Sequence, residues 1–132
     1  MTGRVSARTL RPKSLALRIA RLALEKKGEE VAILDLRGLS AACDYFVVCS
    51  CGSEQHVAAL ADHIDRRMRE RGQAPWHVEG RSHRRWILLD FVDVVAHVFH
   101  QETRQYYMLE RLWGDAAVTH IEEKRESRRS EG

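Results

Sequence analysis

Gly52-Ser53 stands where the strand-like run Tyr45-Phe46-Val47-Val48-Cys49 gives way to a helical pattern. A helix N-terminus carries free backbone N–H groups, so a Gly-Ser pair there can hold a phosphate, as it does in nucleotidyltransferases. Such enzymes also need two or three carboxylates on a neighbouring strand to hold a divalent metal. Here Asp62 and Asp65 fall on the helix itself, Asp90 and Asp93 straddle a turn, and the chain contains no Asp-x-Asp strand. Ser53 is therefore expected to be an ordinary helix cap.

Thiol and imidazole chemistry meets similar obstacles. The three cysteines, Cys43, Cys49 and Cys51, are an odd number for a disulfide framework. Cys49-Ser50-Cys51 also lacks the two-residue spacing that structural zinc prefers. His97 and His100 are three apart on a predicted strand and so point to opposite faces. No cofactor and no metal site is expected, and the thiols are expected to be buried and inert. The arginines at 66–71, with Arg81, Arg84 and Arg85, can meet phosphates but are read as a solvated face.

These groups are positioned by a string of short elements. Leu15, Ile19 and Leu22 recur on one helical face after Ser14, and Gly28 is the expected stop. The run 31–36 is a buried strand, followed by a turn at 37–40 and the strand at 45–49. A helix then begins at Ser53 and buries Val57, Leu60, Ala61, Ile64 and Met68. Strand–helix–strand order favours a parallel crossover and an α/β layer. Pro75 permits a short edge strand at 76–79.

Two strands, 86–91 and 94–100, follow, with Val92-Asp93 between them. A two-residue turn would pair Phe91 with Val94, Leu89 with Ala96 and Ile87 with Val98, a wholly apolar core face. The other face would align Trp86 with Phe99, Leu88 with His97 and Asp90 with Val95. A face mixing large apolar groups with a charge and an imidazole is expected to be covered by a helix or a partner. Beyond it, residues 102–112 suit one or two short helices closed by Gly114, with Trp113 packed.

At 132 residues the chain fits one domain, and 44% hydrophobic residues are enough for a core. No apolar run reaches the roughly 20 residues of a membrane span, and the start lacks a secretory signal, so a cytoplasmic protein is expected. The net charge of +3 comes from residues 1–13, with four bases and no acid, while 14–120 holds fourteen bases against fifteen acids. A near-neutral domain weakens the case for direct nucleic-acid binding by the folded part.

DYFVVCS (44–50), VAALADHI (57–64), AILDLRGLS (32–40) and WILLDFVDVVAHVFHQETRQYYMLERLWGDA (86–116) resemble the ribosomal silencing factor, or Iojap, family in order and spacing. The resemblance covers residues 15–116. It implies a single α/β domain, a mixed sheet of about five strands flanked by helices, with nucleotidyltransferase-like topology and no catalytic acids. A flexible basic arm at 1–13, a silencing-factor domain at 14–116 and a charged, frayed tail at 117–132 complete the expected organisation. The resemblance further implies binding to protein number fourteen of the large ribosomal subunit, with neighbouring ribosomal RNA in reach. An occupant there would block small-subunit joining, and the free protein would be a homodimer. It carries partner-facing roles to Trp86, Asp90, His97, Tyr107 and Leu109. The family's usual Gly before the turn Asp is Val92 here, which predicts a wider hairpin turn. Its usual Ser-Gly-Thr-Ser is Ser50-Cys51-Gly52-Ser53, which moves the glycine away from a phosphate role. The competing readings are a nucleotidyltransferase-like enzyme and a dimeric scaffold without a ribosomal role.

Overall fold

Leu15, Ile19 and Leu22 are buried along one side of α1 (Pro12–Glu25), together with Ala16, Ala20 and Ala23. The structure, a computed structural model, describes residues 10–107 and 114–122. Helix α1 starts two residues before Ser14, because Pro12 sits in the first turn, where its missing N–H costs nothing. Leu10 packs on the core just ahead of it, so the last residues of the expected arm belong to the fold. At the other end Lys27, not Gly28, takes the left-handed conformation, with φ 63°. The Gly28 N–H then reaches the Ala23 carbonyl at 2.9 Å. Gly28 serves close approach instead, since a Cβ there would meet both the Ala23 oxygen and Leu60 at 3.0 Å.

The sheet runs β3-β4-β5-β2-β1-β6 and is mixed. Its strands are β1 (Glu29–Asp35), β2 (Tyr45–Cys51), β3 (His77–Glu79), β4 (Trp86–Asp90), β5 (Val94–His100) and β6 (Ala117–His120). Only β2 and β5 pair in parallel, through seven residue pairs from Tyr45↔Val94 to Cys51↔His100. The crossover expected after β2 is thus made by α2 (Glu54–Glu70), but the returning parallel strand is β5. Strands β3 and β4 stack outside it. The sixth strand is a correction: Ala117–His120 pairs antiparallel with β1 instead of fraying.

Both long helices cover one sheet face. Their apolar sides meet Val31, Ile33, Val47, Ile87, Leu89, Ala96 and Val98 in the main core. The opposite face carries a smaller cluster of Ala32, Leu34, Leu36, Cys43, Val48 and Phe99. Helix α3 (Gln101–Tyr107) reaches this side through Arg104, which is 7% exposed. Its Nη1 donates to the Glu30 carbonyl at 2.8 Å and the Ser50 hydroxyl at 3.0 Å. Glu30 has φ 50° where the β1–β2 register slips, so Arg104 ties a β-bulge to the helix.

The hairpin register is the expected one, from Trp86↔Phe99 to Asp90↔Val95. Val92 does not widen the turn. It adopts φ 76°, and the Asp93 N–H bonds the Phe91 carbonyl at 3.0 Å, closing a γ-turn of the rare positive-φ hand. Asp90 Oδ1 braces the strained residue by accepting from the Val92 N–H at 2.8 Å.

Val92 is 57% exposed, so its side chain offsets little of this strain by burial. Val92→Gly should stabilise the protein by about 1 kcal/mol, the relief of a β-branched residue at positive φ less the added chain entropy. Urea denaturation measures it, and an unchanged or lower midpoint would refute the strain. Arg104→Met, by contrast, should cost about 2–3 kcal/mol by orphaning two enclosed acceptors. A loss under about half a kcal/mol in the same assay would show that the bulge holds without it.

Candidate functional site

The outer face of the hairpin gathers three of the five expected partner-facing residues. On β4, burial alternates: Ile87 and Leu89 are buried while Trp86, Leu88 and Asp90 are half-buried. Val95 on β5 and Phe46 on β2 are also half-buried and extend the patch across three strands. The face is therefore covered in part at its Ser50 end, where Arg104 sits, and accessible toward the hairpin tip. Tyr107 ends α3, but its side chain is not described, and Leu109 and Trp113 lie outside the described residues.

His97 is the most enclosed of the three. It lies on this face but is only 4% exposed, because β5 is an interior strand flanked by β4 and β2. Its ring is enclosed by Phe46 at 4.4 Å, edge-on, Trp86 at 5.9 Å and Phe99 at 6.0 Å between centroids. The Trp86 indole N–H donates to His97 Nδ1 at 3.0 Å. An accepting Nδ1 places the proton on Nε2, and that buried N–H has no partner among the described residues. Burial holds the imidazole pKa down to about 4, so the ring is neutral at physiological pH. His97 thus lies beneath Trp86 and accepts its indole N–H.

Asp90 anchors the tip of the face. Its carboxylate braces Val92 and lies 3.9 Å from His77 Nδ1 on β3. Trp76, 73% exposed, directly precedes β3, and its backbone N–H donates to the Asp90 carbonyl at 2.7 Å.

The alternative chemistries find no arrangement to use. The Ser53 hydroxyl accepts from the His56 N–H at 3.0 Å, so it caps α2 as expected. Cys43, Cys49 and Cys51 are all buried free thiols. Burial raises the pKa of each, that of Cys51 to about 12, which leaves them far from thiolate reactivity. No group of three or more His, Cys, Asp or Glu able to hold a metal occurs among the described residues. No described helix is long and apolar enough to cross a membrane. Sequence reasoning missed Arg104 as a structural clamp. The one available signal was a basic residue beside acidic Glu102 in a helix following a buried strand.

Comparison with known proteins agrees with this geometry. Residues 9–132 match the family described as "Ribosomal silencing factor during starvation". The chain is 42% identical over 98 residues to the ribosomal silencing factor RsfS of Halalkalibacterium halodurans, covering 74% of this chain and 84% of that protein. It is 41% identical over 107 residues to the RsfS of Bacillus subtilis, covering 80% and 91%. A crystal structure of a Chromobacterium violaceum protein superposes with a TM-score of 0.77 at 26% identity, covering 86% of this chain and 95% of that one. A match over residues 9–132, with relatives about 40% identical over most of the chain, makes this protein a member of the ribosomal silencing factor family, which acts without catalysing a reaction.

Proposed function

We propose that this silencing factor docks the outer face of its β4–β5 hairpin onto protein number fourteen of the large ribosomal subunit. Seated there, it blocks the small subunit from joining and so lowers translation. The observation that carries the reading is the graded burial of that face. Trp86, Leu88, Asp90, Val95 and Phe46 each keep part of their surface in solvent, while the inward residues Ile87, Leu89, Val94, Ala96 and Val98 of the hairpin strands are buried. Aromatic groups in such a setting are the usual anchors of protein interfaces. A mixed apolar patch of this kind also accounts for the proposed homodimer of the free protein, each copy shielding the other's face until a ribosome competes. The proposed place of action is the cytoplasm.

Trp86 is the anchor in this proposal. Trp86→Ala should weaken cosedimentation with isolated large subunits by about 2–4 kcal/mol, the range of an aromatic hot spot. It should cost only about 2 kcal/mol in folding, below the 3–5 of a fully buried aromatic. A stable variant that still binds fully would remove the residue from the interface and with it the proposed face.

The buried His97 beneath it makes stability depend on pH in a set direction. An unfolded histidine titrates near 6.5, whereas the folded ring resists protonation to about 4. Between those values the unfolded chain takes up a proton that the folded chain refuses. Stability is therefore fullest above about pH 6.5 and falls as pH drops toward 4, by roughly 3 kcal/mol from this group. His97→Gln, which keeps an acceptor for Trp86 but cannot titrate, should remove that share of the acid loss. Urea titrations at pH 7, 5.5 and 4.5 make the comparison. Equal acid sensitivity in both proteins would mean that His97 is not the group responsible.

A further inference from the structure

The charges of this domain cancel in sum but not in space. Residues 14–27 hold four bases and one acid, whereas 28–120 holds ten bases and fourteen acids. Several of the basic groups outside α1 are neutralised. Arg81 is paired with Asp62 and Asp65, Arg85 with Glu54 and Glu102, and Arg69 with Asp65. On the helix layer Arg69 and Arg67 are paired too, the latter with Glu70, but three other arginines are not. Arg18 and Arg21 of α1 and Arg71 at the end of α2 make no ion pair among the described residues.

These free cations share one trough. A cleft of about 140 Å³ between the helices is walled by Arg18, Arg67 and Arg71, with Leu22 and Met68 among its other lining residues and Glu70 its one acid. A second hollow, of about 330 Å³, adjoins it along α1 and is lined by Arg18 and Arg21. The Nε of Arg71 is enclosed at the cleft and has no acceptor among the described residues. Uncompensated guanidiniums along an open groove raise the local potential and attract phosphates.

We infer that this trough on the helix layer binds the phosphate backbone of RNA, on the sheet side opposite the outer hairpin face. The inference does not depend on that face docking as proposed. Arg18 and Arg21 along α1, with Arg67 and Arg71 across the cleft, offer four guanidiniums, which match several successive phosphates better than one small anion. An anionic membrane is a poorer fit. The large apolar side chains exposed among the described residues are Leu39, Trp76, Val92 and Val118, and none lies on either helix of the trough.

Fluorescence anisotropy of the full chain with a labelled single-stranded RNA of twelve nucleotides tests the inference. Binding should weaken as salt rises, with a log–log slope near −2, about three phosphates at −0.7 each. Arg18→Glu with Arg71→Glu should weaken it at least tenfold. Should that pair disturb folding in a thermal melt, Arg18→Gln with Arg21→Gln supplies a milder loss. Glu70→Gln should tighten binding by removing the groove's one acid and freeing Arg67. Inorganic phosphate at millimolar concentration should not displace the RNA, and vesicles rich in phosphatidylserine should bind far more weakly. RNA binding unchanged by all three variants, displacement by free phosphate, or preference for the vesicles would each overturn the assignment.

Discussion

The parallel pairing of β2 with β5 is the constraint on which the rest of the structure depends. It sets the hairpin beside the older β1–β2 pair, so that β5 becomes an interior strand and β4 remains nearer the edge. Helix α2 can then span from the end of β2 across the sheet, pressing its apolar side on the same face as α1. On the other face, the central position of β5 buries His97 and Phe99, while the flanking Trp86, Leu88 and Asp90 stay half in solvent. One pairing thus decides both where the core lies and which side chains remain available for recognition.

Much of this was legible in the chain because it rests on local period. The alternation along 86–91 and 94–100, with a two-residue turn, was enough to set every hairpin pair that is observed. Helical spacing likewise identified the buried side of α2. What escaped was whatever depends on partners distant in sequence. His97 alternates with Val98 in a way that assigns it a face, but its burial follows from strand order, which the alternation does not encode. Ala117–His120 has four exposed residues and no apolar signal, so its pairing with β1 had no local signature. Backbone strain was hidden too. Val92 prompted the expectation of a wider turn, yet the tertiary pull of the hairpin wins and the residue absorbs it as positive φ.

Net charge conceals a spatial property for a related reason. A sum near zero reads as indifference to polyanions only if the charges are mixed in space. Folding separates them here: acids on α2 and its neighbours are consumed by Arg81, Arg85 and Arg69, which leaves the α1 side and the end of α2 basic. Ion pairing, a tertiary property, decides which arginines are spent and which are free. Surface pairs of this kind add little to stability, so their main physical consequence is the electrostatic asymmetry they create.

The unpaired Nε2–H of His97 is the costly feature of the outer face. An apolar ring in its place would avoid a buried donor without an acceptor and would fold at least as well. It would also leave the Trp86 indole N–H without the acceptor 3.0 Å beneath it, removing one bond that fixes the ring's orientation. A ring already held in one orientation loses less entropy when a partner closes over it. On the proposed docking of this face, that saving falls on binding. The folding cost of the imidazole and the preorganisation of the indole are then two sides of one arrangement, which the central place of β5 makes available.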